Sequence, residues 1–293
     1  MPELPEVEVV RAGLASSVAG RTIGAVHVLH PRPVRYHLSG PDAFASDLVG
    51  RRVGVARRRG KYLWLVLAGP AGDRSALLLH LGMSGQLLVQ PADAPDERHL
   101  HARFDFADDG PQLRFVDQRI FGGLWVSPQG AETPAELAHI APDLFDPTLD
   151  NDQLVARIRA RHSGIKRVLL DQGIVSGIGN IYADEALFQA GIHPQRPGDA
   201  LTLADCSRLH SAIRQTLATA IREGGSTLGR SGIANYRRPN GVTGHYQQRH
   251  QVYGRTGKPC LVCGGPIHRV QVAQRSTHFC PHCQPDSRVI PSD

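Results

Sequence analysis

Lysine is scarce in this chain. Of its 33 basic residues only Lys61, Lys166 and Lys258 are lysines, and the rest are arginines. The skew reads as compositional bias, and it makes each remaining lysine conspicuous. Methionine is scarcer still. Apart from Met1 there is only Met83, so Met83 does not belong to a methionine-rich core. No apolar run reaches the roughly 18 residues that a membrane span needs. The opening Met1-Pro2-Glu3 is acidic and lacks the basic and apolar regions of a secretion signal. These absences argue against a membrane-spanning helix and a secreted precursor, and predict a cytoplasmic protein. Cysteines number five. Four of them fall in two close pairs, which in a reducing compartment points to a metal rather than a disulfide.

What is present fits a folded protein of about two domains, since 293 residues are enough for each to bury its own core. Hydrophobic residues make up 41% and charged residues 20% of the chain, which excludes a disordered polymer. The formal charge of +6 favours a polyanionic partner without identifying one.

The first six residues, Met1-Pro2-Glu3-Leu4-Pro5-Glu6, are chemically unusual. Removal of Met1 would leave Pro2 with a free secondary amine flanked by two carboxylates, Glu3 and Glu6. A nucleophile with neighbouring acid and base groups is a layout for covalent catalysis. An α-amine titrates near 7.7–8.0, so part of it is unprotonated at neutral pH. A plainer reading stands beside this one: proline in a first helical turn, with acidic residues near it, starts a helix. Val7, Val10, Leu14 and Val18 continue that helix with steps of three and four.

From Arg21 to Trp125 the pattern becomes β. Short runs at 22–29, 53–57, 62–67, 76–81, 87–89, 102–106, 113–116 and 124–126 are punctuated by Gly, Pro and Asp, as in an antiparallel sandwich or barrel. A Pro- and Ala-rich stretch follows, read as a linker. Helical periodicity returns at 154–158, 166–170, 183–190 and 203–223. Between the second and third of these lies Gly177-Ile178-Gly179-Asn180-Ile181-Tyr182, too rich in glycine for a helix interior. Helix, glycine turn, helix suits DNA, because amides at the turn can meet phosphates. Residues 229–254 lack periodicity and read as a long mobile loop. The expected organisation is α+β. Residues 2–132 form a catalytic β-sandwich domain, 133–149 a linker and 150–228 a helical DNA-binding domain. Residues 229–254 form the loop and 255–285 a zinc finger.

Cys260-Leu261-Val262-Cys263 and Cys280-Pro281-His282-Cys283 match the two-knuckle, four-thiolate zinc template. Strands near 267–272 and 275–279 would form the hairpin between them. Four cysteines leave no open coordination position, so one structural zinc ion is expected. Cys206 stands alone and reads as a buried small residue.

These motifs, in this order, resemble the formamidopyrimidine-DNA glycosylase family. The resemblance rests on Pro2-Glu3-Leu4-Pro5-Glu6-Val7-Glu8, Arg59-Gly60-Lys61-Tyr62-Leu63, His80-Leu81-Gly82-Met83-Ser84-Gly85, the 177–182 turn and the zinc hairpin. It runs from Pro2 to Gln284. It implies a β-sandwich followed by a helix–two-turn–helix domain with a zinc finger, acting as a monomer on duplex DNA with oxidised or abasic lesions. It further implies that Pro2 attacks the sugar C1′ of an extruded nucleotide, that the damaged base leaves, and that a Schiff base leads to strand cleavage by β,δ-elimination. Glu3 would be the general acid and base, Glu6 an orienting group, and Lys61 a phosphate or lesion contact; a solvated strand-end charge is the alternative for Lys61. Met83 would wedge into the stack left by the extruded base. In Asp117-Gln118-Arg119-Ile120-Phe121-Gly122, Arg119 and Phe121 keep the positions facing the orphaned base and the stack, with core packing the alternative for Phe121. Gln118 and Ile120 replace the family's proline and second arginine, which leaves the stiffness of this loop open. His80, Lys166, Asn180, Tyr182 and Arg275 would contact the DNA backbone. Glu185 would either read a damaged base edge or cap a helix, and Ser231 and Tyr246 are candidates for lesion recognition. His245 departs from the family's Gly-Tyr-Phe.

Two other functions compete. One keeps the chemistry but takes oxidised pyrimidines, as in the endonuclease VIII group. That group begins Pro-Glu-Gly-Pro-Glu, and Leu4 argues against it. The other is a non-catalytic zinc-ribbon protein that binds damaged DNA, for which Pro2 and Glu3 would serve no purpose.

Overall fold

The computed structural model describes residues 1–69, 74–227, 229–230, 233–234 and 236–286. It divides into two compact units. The first comprises Met1–His139 and Glu223–Gln247; the second comprises 140–222 and the chain from 248.

The first unit opens with helix α1 (Leu4–Ser17), with proline in its first turn. There the ring's fixed φ and missing N–H cost nothing. Its face of Leu4, Val7, Val10 and Leu14 is fully buried. The chain then forms β1 (Ile23–Val28), α2 (Gly40–Leu48), β2 (Arg52–Arg59), β3 (Tyr62–Ala68), β4 (Ala76–His80), β5 (Gly85–Gln90), β6 (Leu100–Phe106), β7 (Gln112–Asp117) and β8 (Gly123–Ser127). The eight strands make two four-stranded antiparallel sheets, ordered β1-β6-β7-β5 and β2-β3-β4-β8. One core, with Leu63, Leu79, Phe104 and Phe115 among its members, fills the sandwich together with residues of α1 and α2. Helix α2 lies inside the stretch read as purely β. Only Phe44 and Leu48 of its nine residues are buried, too few to give a helical period.

Register places the loops. Tyr62 pairs with His80, and His80 with Gly123. Gly85 pairs with Asp117. The 59–62 turn, the 81–84 loop and the 118–122 loop therefore emerge at neighbouring strand ends.

The stretch from 236 to 254 is not the mobile loop expected. Tyr236 is 1% exposed and lies in the sandwich core. The Pro239 carbonyl accepts from Val89 N at 2.7 Å. A Cβ on Gly13 would stand 2.7 Å from the Pro239 ring, so the glycine admits that contact. Before it lie the two-residue strands β9 (Gly229–Arg230) and β10 (Ile233–Ala234), and after it a 3-10 turn at Tyr246–Arg249.

The second unit contains α3 (Asn151–Arg159), α4 (Ile165–Leu170), α5 (Asn180–Gln189), α6 (Leu203–Arg222) and the hairpin β11 (His268–Val272) and β12 (Arg275–Phe279). Thr202 and Asp205 cap α6 reciprocally: Thr202 N donates to Asp205 Oδ2 at 3.0 Å and Asp205 N to Thr202 Oγ1 at 3.1 Å. Cys206 is buried on its inner face. No helix among the described residues is long and apolar enough to cross a membrane.

Candidate active site

The N-terminal end of α1 gathers the first cluster. Pro2, Glu3, Glu6 and Lys61 are all buried. The Glu6 carboxylate bridges two segments: Oε2 accepts from Glu3 N at 2.8 Å and Oε1 from Ser226 N at 2.6 Å. Gly225, at φ +81°, allows this approach, because a Cβ there would lie 2.9 Å from Glu6 Cγ. The chain's first amine lies within electrostatic reach of Glu3, Glu6, Lys61 and Arg119. Burial lowers its pKa, the two carboxylates oppose that shift and the two cations add to it. Outside this cluster Glu8 is clamped by Arg11 at 2.6 Å and Arg58 at 2.9 Å.

Met83 is half-buried, and Arg119 and Phe121 are exposed. The Arg119 guanidinium lies over the Phe121 ring, 4.9 Å from its centroid. The two loops that carry them are laced together. Asp117, fully buried, accepts from Ser84 Oγ at 2.6 Å and Arg119 N at 3.2 Å through Oδ1, and from Gly122 N at 2.8 Å through Oδ2. Gly82 has φ +59°, and a Cβ there would sit 2.5 Å from Gly122 N. The carbonyls of the 120–122 turn are held as well: Arg32 donates to Ile120 O at 3.3 Å, and Arg35 to Phe121 O at 3.1 Å and Gly122 O at 2.7 Å. Ile120 stands at φ +52°, a conformation that β-branched residues rarely adopt. Stiffness here comes from Asp117, Arg32 and Arg35 and needs no proline at position 118. Sequence reasoning quoted Asp117 without a role and passed over Arg32 and Arg35.

His80 packs on Tyr62 with ring centroids 4.5 Å apart. Burial first, then Lys61 and Arg35, lower its pKa to about 4. Its Nδ1 accepts from Gly82 N at 3.2 Å, so the neutral ring carries its proton on Nε2 and presents a donor.

In the second unit several motif residues face inward. Lys166 is fully buried and pairs with Asp184 Oδ1 at 2.6 Å. Its ammonium also donates to Ser276 O at 2.9 Å and Thr277 Oγ1 at 2.8 Å. Asn180 Nδ2 donates to the same Ser276 carbonyl at 2.9 Å. The other oxygen of Asp184 accepts from His278 N at 2.9 Å. Tyr182 is fully buried. Glu185 accepts from three consecutive amides, Gln251, Val252 and Tyr253, at 2.8, 3.0 and 2.8 Å, so its oxygens serve the chain itself. Arg275 is exposed beside the hairpin turn. In the first unit Tyr246 is 5% exposed, and Ser231 lies outside the described residues.

The four cysteine sulfurs, Cys260, Cys263, Cys280 and Cys283, lie within 4.8 Å of one another. Cys260 and Cys283 Sγ are 3.9 Å apart, and Cys263 and Cys280 Sγ 3.4 Å. Zn–S bonds of about 2.3 Å in a tetrahedron put sulfurs about 3.8 Å apart. Val262 N points at Cys260 Sγ at 3.4 Å and Cys283 N at Cys280 Sγ at 3.5 Å, as suits thiolates. The residues fit one structural zinc ion.

Comparison with known proteins covers nearly the whole chain. The profile of the formamidopyrimidine-DNA glycosylase N-terminal domain matches residues 1–124, that of the same enzyme's H2TH domain 140–231, and that of a zinc finger found in FPG and IleRS 257–285. A formamidopyrimidine-DNA glycosylase of Nocardioides sp. is 56% identical, over 98% of this chain and 96% of its own. Among solved structures, wild-type Lactococcus lactis Fpg bound to DNA containing an oxidised pyrimidine is 36% identical with a TM-score of 0.85. The same protein bound to DNA containing N7-benzyl-Fapy-dG is 37% identical, also with a TM-score of 0.85. Each match covers 97% of this chain and 100% of the other.

Proposed function

The chain belongs to the formamidopyrimidine-DNA glycosylase family, and from that premise we propose that it removes oxidised purines from duplex DNA and then cleaves the strand at the abasic site. The observation that carries this reading is the cluster at the chain's first amine, where Glu3, Glu6, Lys61 and Arg119 converge. While Met1 is attached, the Pro2 nitrogen is an amide without a nucleophilic lone pair. The working enzyme therefore begins at Pro2. Its secondary amine attacks C1′, the N-glycosidic bond breaks, and the resulting iminium supports loss of the 3′ and then the 5′ phosphate. Glu3 donates and accepts the protons of ring opening and elimination, a role worth about 10²–10⁴ in rate. Glu6 acts through position: it ties Glu3 N to Ser226 N and so sets the angle at which the amine meets the sugar. Lys61 and the Nε2–H of His80 hold phosphate.

An extruded base leaves a gap, which Met83 and Phe121 fill while Arg119 meets the orphaned base. In the second unit Asn180 and Arg275 contact phosphate. Lys166 acts by fixing the Ser276 carbonyl beside Arg275, and Glu185 by fixing the 251–253 turn. Tyr182 contributes through its backbone. Ser231 and Tyr246 are the lesion-recognition residues. The zinc holds the hairpin. The setting is the bacterial cytosol and nucleoid.

Borohydride trapping on an 8-oxoguanine duplex tests the reading. The wild type should form a covalent complex, Pro2→Gly should lose it, and Glu3→Gln should lose base removal. Tight binding without trapping would leave only a damaged-DNA-binding protein. The Lactococcus lactis complex with an oxidised pyrimidine favours a lesion range that extends to pyrimidines, which relative cleavage of the two lesions measures.

A further inference from the structure

A cavity of about 550 Å³ in the second unit is lined by three arginines, Arg161, Arg167 and Arg275, with Asp171 as its acidic residue. None of the three guanidinium groups has a hydrogen-bond or ion-pair partner among the described residues. Several other arginines are engaged: Arg35 holds loop carbonyls, Arg114 the 91–97 loop, and Arg196 and Arg208 the Asp205 carboxylate. The Asp171 carboxylate is turned to its own turn, where Oδ1 accepts from Gly173 N at 2.9 Å.

The frame around these side chains is stiff. Ser163 O accepts from Gly198 N at 3.1 Å and Arg161 O from Asp199 N at 3.0 Å, while His162 meets Asp199 at 2.6 Å. Arg167 follows Lys166, and Arg275 precedes Ser276. The Lys166–Ser276 bond of 2.9 Å therefore fixes the spacing of their backbones. Ala273 and Gln274, both at positive φ, close the hairpin in two residues. Three unpaired planar cations held on rigid backbone around one hollow suit a tetrahedral oxyanion, since each fork can donate two parallel bonds.

We propose that Arg161 and Arg167 complete, with Arg275, a subsite for a backbone phosphodiester of the duplex. The phosphate contacts of the second unit thereby extend beyond a lone guanidinium. This rests on the DNA-repair reading above. Because a free phosphate offers the same chemistry, the test must separate the two sources.

Affinity for a duplex carrying a tetrahydrofuran abasic analogue is measured against KCl concentration. Each phosphate neutralised contributes a slope of about 0.9 in log K against log salt. Arg161→Gln/Arg167→Gln should make the slope shallower by up to about 0.9 and weaken binding about tenfold near 0.15 M salt. Borohydride trapping at saturating DNA should stay at the wild-type rate. Arg157→Gln, which removes a charge from α3 outside the cavity, serves as the control. A double-variant slope equal to that of the control would overturn the proposal. So would stabilisation of the wild type, but not of the double variant, by inorganic phosphate with the DNA slope unchanged, because the pocket would then take a small free anion. Absence of trapping by the wild type is a separate failure, and it would remove the catalytic reading while leaving the slopes to judge the subsite.

Discussion

The first unit exposes its motif side chains on braced loops, whereas the second buries the motif residues themselves. Arg119 and Phe121 are exposed on loops whose amides are held by the buried Asp117 and whose carbonyls are held by the exposed Arg32 and Arg35. In the second unit Lys166, Tyr182 and Glu185 are buried; Lys166 braces the hairpin and Glu185 the 251–253 turn. The bracing physics differs too. The first unit laces two loops around one carboxylate. The second relies on a buried ion pair, Lys166–Asp184, and a four-thiolate metal site. A residue that carries a motif can therefore serve the ligand directly or serve the backbone that meets it, and burial with partner chemistry tells the two apart.

The largest test of this contrast is removal of zinc. A structural zinc site contributes on the order of 10 kcal/mol or more to folding its domain. Chelation should abolish DNA binding and melt the hairpin, seen as loss of amide protection over 260–283. Protection in the β-sandwich should persist. Unchanged affinity in the metal-free protein would refute the dependence.

Next in size is the ion pair. Lys166→Met leaves the Asp184 carboxylate buried without its cation, at a cost of about 3–5 kcal/mol. Lys166→Met/Asp184→Leu should recover only part of that, because His278 N then loses its acceptor. Denaturant midpoints measure both. A single variant as stable as the wild type would show that the pair contributes nothing.

The first unit's lace should respond less. Asp117→Ala orphans the buried Gly122 amide and the Ser84 hydroxyl and leaves Arg119 N with Ser84 Oγ alone, at about 1–3 kcal/mol for each buried group. Ser84→Ala should cost about 1 kcal/mol. The distinguishing readout is wedge insertion, followed by 2-aminopurine fluorescence beside an abasic site. It should fall in Asp117→Ala while zinc-hairpin protection stays constant. Wild-type insertion in that variant would mean the loops hold themselves.

Most elements were legible from local pattern: the i, i+3, i+4 face of α1, the short β-type runs set between Gly, Pro and Asp, the cysteine knuckles. Helix α2 was not, since two buried residues in nine give no period. The anchoring of Tyr236 was hidden because its pocket is built from residues distant in sequence. Pro2, Glu3 and Lys61 were conspicuous as residue types. Asp117's partners were not, because strand register, Gly85 against Asp117, is what brings Ser84 to it. Lys166 stood out through rarity, yet its burial depends on Asp184 and the hairpin, which no local pattern reports.

The smallest effect is in pH. His80 titrates near 4 in the folded protein, against about 6.5 in an unfolded chain. Between these values the unfolded state binds the extra proton. The stabilisation from the neutral ring is therefore complete above pH 6.5 and is lost as pH falls towards 4. His250 is shifted in the same direction, to about 4, mainly by burial. Glu185, raised by burial, works in the opposite sense, because the folded state takes its proton more readily. Acid titration of the wild type alone would mix these terms, so the difference between wild type and His80→Gln isolates the ring. Glutamine keeps an acceptor for Gly82 N but cannot titrate. Stability measured from pH 6.5 to 4.5 should fall less steeply in the variant. Parallel curves would show that the ring carries an ordinary pKa, and its assignment as a neutral Nε2 donor to phosphate would fall with it.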